Sequence, residues 1–320
     1  MIKEQQILLS LLRKSMKGKG CDAIAFHDDV DWMNVLDVAT KQTVTGQIWS
    51  VIESSSELSA SLSIDDKMQW FGQVRMIVEQ NKAVNKVLAQ IVTTLESAGL
   101  HSILLKGQGN ATFYPKPQYR TSGDIDLLVG KEHFDEVRAC LDKVGLIDEW
   151  HHEDVIHASM TCKGISFELH KTAAILPGKK ANIAFQKEIL SCLNEHYSQC
   201  PRVNIPLTDL CTSSVSVAVL PLELNVVYVF IHMFRHFIGG GVRLRQVCDW
   251  QMLFHASEKT IENKEKIGGY LRDFGYKKPW KDFFKMIDCY FNGGKSDERS
   301  EKIMALLLEG PVVENYQKKA

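Results

Sequence analysis

Apolar positions along the chain recur at helical spacing, then at strand spacing, then at helical spacing again. In "WFGQVRMIVEQNKAVNKVLAQIVTTLESAGL", Val84, Val87, Leu88, Ile91 and Leu95 form one helical stripe, and Gly99 stands where a helix closes in the left-handed conformation. The serine-rich "ESSSELSASLSIDD" upstream predicts a loop and then a helix start. Residues 1–98 therefore read as a helical region. The period then shortens. "HSILLKG" is a short apolar run ending at Gly107, and "GDIDLLVG" alternates polar and apolar positions, which places Asp124 and Asp126 on one strand face. "KEHFDEVRACLDKVGL" returns to helical spacing, with Phe134, Val137, Leu141 and Val144 on a stripe closed by Gly145. "VIHASMTCKGISFELHK" predicts a strand, a Lys163-Gly164 turn and a second strand in which Ser166, Glu168 and His170 share a face. "PRVNIPL" reads as one more strand, and from about Pro221 the pattern is helical. Three regions follow: helical 1–98, an α/β core at 99–210, and helical 211–320.

Composition refines this picture only a little. The 320 residues are 45% apolar and 24% charged, as in soluble globular proteins, and a net charge of -1 gives no global field toward nucleic acid or membrane. None of the eight cysteines forms a C-x-x-C pair, which argues against a zinc ribbon or thioredoxin-like site; their scatter suits buried thiols in a reducing compartment. The N-terminus has too short an apolar core for a secretory signal. The most apolar stretch, Val215 to Phe234, is interrupted by Pro221, Glu223, Asn225 and His232, and reads as a buried helix and not a membrane span. A cytoplasmic protein without a membrane partner is expected.

The chemistry concentrates at the aspartates. Burying carboxylates costs several kcal/mol unless something pairs with them. Two carboxylates at i and i+2 with a third, Glu168, on a neighbouring strand suit divalent cations, Mg²⁺ or Mn²⁺. A pair of such ions can clamp the attacking and leaving oxygens of a phosphoryl or nucleotidyl transfer. Repulsion within the metal-free set predicts that Asp126→Asn leaves stability equal or raises it. The glycine turn at Lys106-Gly107 would let backbone N–H groups approach a phosphate. Lys106 reads either as a phosphate ligand or as a solvated strand end, and Arg120 either neutralises a triphosphate or pairs with Asp124. His232 and His236 lie one helical turn apart, but "HMFRH" lacks the glutamate of the metalloprotease motif, so core or loop-anchoring histidines are expected. Arg245 and Asp249 are spaced for an i,i+4 pair, or Arg245 reaches a substrate. "KGKG" at 17–20 and "GGK" at 293–295 lack the spacing of a P-loop.

Taken together, "LLKGQGNATFYPKPQYRTSGDIDLLV", Glu168-Leu169-His170, and His232, His236, Leu244-Arg245 and Asp249 resemble an uncharacterised bacterial nucleotidyltransferase family of the DNA polymerase β-type superfamily. The resemblance covers roughly residues 100–250. It implies an α+β fold (α/β core), with a polymerase β-like mixed sheet flanked by N- and C-terminal helical regions. It also implies transfer of a nucleoside monophosphate from an NTP, with pyrophosphate released. The acceptor could be a small molecule, a tRNA or a protein. Asp124, Asp126 and Glu168 would be catalytic metal ligands for Mg²⁺ or Mn²⁺. Lys106, Gly107, Gln108 and Arg120 would hold the triphosphate. The superfamily's turn serine is Gln108 here. The alternative reading is a nucleotide-binding or toxin-partner module with a degenerate core.

Overall fold

The computed structural model describes residues 2–17, 30–207 and 213–309; Cys21, Cys211 and residues 18–20 of the KGKG stretch lie outside the described residues. Four helices open the chain: α1 (Lys3–Lys17), α2 (Trp32–Lys41), α3 (Thr45–Ser54) and α4 (Ser56–Ser61). They lead into the 34-residue α5 (Ile64–Ser97). A capping box starts α5: the Ser63 hydroxyl accepts the Asp66 N–H, and the Asp66 carboxylate accepts the Ser63 N–H. Gly99, at φ +74°, ends it as expected. The serine-rich stretch is mostly helix, which corrects the loop reading. Its serines act as caps, with the Ser55 hydroxyl accepting the Leu58 N–H at the start of α4.

The middle of the chain supplies β1 (Ile103–Leu104), the single turn α6 (Gln108–Ala111), β2 (Ile125–Leu128), α7 (Phe134–Lys143), β3 (Glu149–Glu153), β4 (His157–Cys162), β5 (Ile165–His170) and α8 (Lys179–Asn194). The five strands form one mixed sheet in the order β1-β2-β5-β4-β3, in which only β2 and β5 run parallel. Phe134, Val137 and Leu141 are the buried face of α7; Val144 falls beyond the helix and is exposed, so it leaves the predicted stripe. β3 was not foreseen, because "EWHHE" is a bulged, largely exposed edge strand without alternation.

A hairpin of β6 (Arg202–Pro206) and β7 (Ser214–Ala218) follows, tied to β1 by a Leu104–Val219 bridge. The apolar stretch read as one buried helix from Val215 is thus two elements. Pro221 separates β7 from α9 (Leu222–Ile238), where its missing N–H does no harm at a helix start. The remaining helices are α10 (Leu244–Ser257), α11 (Ile261–Asp273), α12 (Lys277–Asn292) and α13 (Glu298–Glu309).

Two cores result. One joins the sheet face bearing Ile125, Leu127, Phe167 and Leu169 to α7 and the second half of α5. The other joins α1–α4 and the first part of α5 to α8–α13. Gln42 stitches this second core: its Nε2 donates to the Leu307 carbonyl at 3.0 Å, and its Oε1 accepts the Leu244 N–H at 2.9 Å. The fold is α+β, a mixed sheet with flanking helices. All six described cysteines are free thiols. No described helix is long and apolar enough to cross a membrane.

Candidate active site

Strand parity builds the site. With Ile125, Leu127, Phe167 and Leu169 committed to the core, the opposite sheet face carries Asp126, Ser166, Glu168 and His170. In the parallel β2–β5 pair Asp126 stands directly beside Glu168, and in the β4–β5 pair His157 stands beside His170. Asp124, two residues before Asp126, lies at the exposed end of this row. Gly107 holds the turn after β1 at φ +67°, and an added Cβ would sit 3.4 Å from the Asp124 carbonyl oxygen. The turn therefore packs against the backbone of the first aspartate, which needs the left-handed freedom of glycine.

Lys106 and His170 offset the charge on Asp126, which is 2% exposed. Lys106 Nζ lies 3.0 Å from Asp126 Oδ1. His170 Nε2 lies 3.1 Å from that same oxygen and 3.1 Å from Glu168 Oε2. Burial opposes the ionised form of Asp126, but Lys106 and His170 outweigh it and hold the carboxyl far below its usual range. The expectation of a repelled, destabilised Asp126 is thereby reversed. Asp124 is the strained member: partial burial and the charges of Asp126 and Glu168 raise its pKa, against weaker opposing effects of Lys106 and a Ser166 hydrogen bond. His170 is raised, since its bonds to Asp126 and Glu168 overcome the desolvation of the imidazolium.

Helix α9 closes the site. Lys106 Nζ donates to His232 Nε2 at 3.3 Å; an ammonium has no lone pair, so His232 must be the acceptor. Burial and Lys106 push the His232 pKa well down, consistent with a neutral ring, and His236 is lowered by the same two causes. Tyr228, on the same helix, is fully buried, and its hydroxyl has no hydrogen-bond partner; burial and then the charges of Asp126 and Glu168 keep it protonated.

Two of the predicted phosphate ligands are engaged elsewhere. Gln108 is buried, and both hydrogens of its amide go to the side-chain oxygens of Asn81 and Asn85 on α5. Arg120 is 3% exposed and pairs with Asp249, not Asp124, through Nε to Oδ1 at 2.7 Å and Nη2 to Oδ2 at 2.6 Å. Arg245 accordingly has no i,i+4 partner in Asp249. Its Nη1 donates to the Thr121 and Ser122 carbonyls just before Asp124, and burial lowers its pKa to about 10. Arg120, Arg245 and Asp249 thus brace the approach to the aspartates. Lys106 remains at the carboxylates. His157, His170, His232 and Tyr228 are not among the expected ligands; the family resemblance pointed to His170 and His232, the alternation around Glu168 to His170 as well, and no sequence signal pointed to His157 or Tyr228.

The donor set fits a divalent cation. Asp126 and Glu168 stand at paired positions of β2 and β5 with Asp124 one residue before β2, and donor atoms of His157, Glu168 and His170 lie within 4.8 Å of one another.

A model of the uncharacterised nucleotidyltransferase family matches residues 28–292. The chain belongs to that family. Its match extends past the motif-bearing residues 100–250, into α2–α5 on one side and α11–α12 on the other. The helices α2–α5 and α9–α12 that flank the sheet therefore lie within the family match, and nucleotidyl transfer is the general function that membership supports. No curated protein and no solved structure matches the chain.

Proposed function

We propose that the protein is a metal-dependent nucleotidyltransferase that moves a nucleoside monophosphate from an NTP to an acceptor hydroxyl or phosphate and releases pyrophosphate. The observation that carries this reading is the pairing of Asp126 with Glu168 across β2–β5, with Asp124 two residues upstream, in a chain of this family. Asp124, Asp126 and Glu168 would hold Mg²⁺ or Mn²⁺. Bound there, the cations would supply charge neutralisation at the transferring phosphorus and a lowered pKa for the acceptor oxygen. The acceptor oxygen forms the new bond to the α-phosphorus, and the bond from that phosphorus to pyrophosphate breaks. Lys106 is the one predicted phosphate ligand with its charged end at the site, so it is the group assigned to the triphosphate. Neutral His232 receives the Lys106 hydrogen bond and holds the ammonium beside Asp126. The regions 1–98 and 211–320 would shape the acceptor side.

The test is incubation with each α-labelled NTP and Mg²⁺ or Mn²⁺, with cell extract as acceptor source, wild type against Asp126→Asn. Label transferred by wild type and lost in the variant supports the reading; equal transfer by both sinks it. One observation favours the alternative, a nucleotide-binding module without transfer: Gln108, which stands for the superfamily's turn serine, is turned toward α5. Nucleotide binding without label transfer would select that alternative.

A further inference from the structure

His157 and His170 lie next to each other on β4 and β5, with their rings 5.1 Å apart, and His170 stands between Glu168 and Asp126, with Nε2 3.1 Å from an oxygen of each. His157 Nε2 is 3.5 Å from Glu168 Oε1, and His170 Nε2 is 3.1 Å from Glu168 Oε2. One donor atom from each of the three lies within 4.8 Å of the others. Ligands of a tetrahedral ion at about 2.0–2.1 Å stand about 3.4 Å apart. The two contacts to Glu168, one to each carboxylate oxygen, are close to that spacing. On the far side of the ring, His157 Nδ1 is buried without a hydrogen-bond partner, and the nearest carboxylate oxygen, Asp154 Oδ1 at 4.0 Å, accepts the Ile156 and His157 amides. All three donors stand on paired strands, the part of the fold least able to shift.

We infer that His157, Glu168 and His170 form a mixed imidazole–carboxylate site for a first-row transition cation, of which Zn²⁺ is the chosen probe. Imidazole nitrogen favours such ions, whereas Mg²⁺ prefers oxygen alone. The all-oxygen pair Asp124 and Asp126 is then left for Mg²⁺, so the two sides of Glu168 differ in the ion they select. Only the sharing of Glu168 rests on the proposed transferase reading. The binding itself does not.

The test measures metal affinity by equilibrium dialysis on the full chain. Zn²⁺ and Mg²⁺ are titrated against wild type, His157→Gln, and a double variant of the exposed neighbours His151→Ala and His152→Ala. Co²⁺ absorption in the visible provides a second readout. Zn²⁺ is expected to bind at least about tenfold tighter than Mg²⁺. His157→Gln should cost about tenfold or more in Zn²⁺ affinity, leave Mg²⁺ binding unchanged and alter the Co²⁺ spectrum. The double variant should bind as wild type does. Equal affinities for the two ions overturn the inference, as does Zn²⁺ binding that survives His157→Gln or vanishes with His151 and His152. His157→Asn repeats the measurement if the glutamine variant does not fold. Transfer supported by Mg²⁺ in a protein without the Zn²⁺ preference would defeat this inference and leave the transferase reading standing. Zn²⁺ binding through His157 without any transfer would do the reverse.

Discussion

Arg120 and Asp249 meet in a two-pronged ion pair, both almost wholly buried, with the Tyr114 hydroxyl donating to the same Asp249 oxygen at 2.7 Å. The pair fastens the segment before Asp124 to α10. Removing one partner strands the other charge in the interior, which costs about 3–5 kcal/mol. Asp249→Ala is therefore expected to lower unfolding free energy by about that much in urea titrations. Arg120→Lys should also destabilise, because an ammonium cannot reproduce the fork. A loss below about 1 kcal/mol in Asp249→Ala would contradict this role.

Asp124 and Asp126 should respond in opposite directions when neutralised in metal-free protein. Asp126→Asn loses the bonds of Lys106 and His170 to a charged oxygen, a loss of about 2 kcal/mol. Asp124→Asn relieves the repulsion of Asp126 and Glu168 and should hold or slightly raise the melting temperature. The sign follows from the shifts. A depressed carboxyl pKa marks charge that stabilises the fold above the unfolded-state pKa, and a raised one marks charge that opposes it. Thermal melts in EDTA check both; matching shifts of the two variants would overturn the assignment.

Nucleotide is expected to stabilise the protein only with a divalent cation present, because the carboxylates repel a bare triphosphate. The gain follows RT ln(1 + [L]/Kd), about 2.7 kcal/mol at a hundredfold excess over Kd. Differential scanning fluorimetry with NTP, in Mg²⁺ and then in EDTA, reads it directly. Equal stabilisation in the two buffers would argue against a metal-bridged site.

Two glycine substitutions should differ in sign. A Cβ on Gly46 would stand 2.0 Å from the Tyr119 carbonyl oxygen, one residue before Arg120. Gly46→Ala is expected to destabilise and to disturb the Arg120 pair. Gly72, in the interior of α5, has nothing within 4 Å of an added Cβ. Gly72→Ala should stabilise by about 0.5–1 kcal/mol through helix propensity. Chemical denaturation of the two variants side by side is the check.

Much of this architecture could be read from local pattern. The i,i+2 spacing of the aspartates, the alternation around Glu168 and the stripe in α5 each depend on near neighbours, and the structure follows them. The serine caps of α4 failed as a loop because capping and linker serines are the same residue type in different backbone settings. β3 carried too little alternation to show, whereas β7, with Ser214-Val215-Ser216-Val217 alternating, was missed because it runs into the apolar start of α9. What sequence spacing could not supply was partner choice across long separations. Arg120 finds Asp249, Gln108 finds Asn81 and Asn85, and His232 finds Lys106. In each case a nearer or simpler role was equally compatible with the residue type.

The Gln42 side chain, bonded to both the Leu244 amide and the Leu307 carbonyl, has a consequence for the order of events during synthesis. Residue 42 leaves the ribosome long before residue 307 exists. Until the last helices arrive, α1–α4 can pack on one another and on the first part of α5, but the part of their core completed by α12 and α13 stays open. The core around the sheet is built from segments between α5 and β7 and can close earlier. Folding should thus proceed from the middle outward, with closure of long loops late and slow. A chain halted before α13 would present a sheet domain with loose, sticky helices at its front, the form in which a chaperone would meet it.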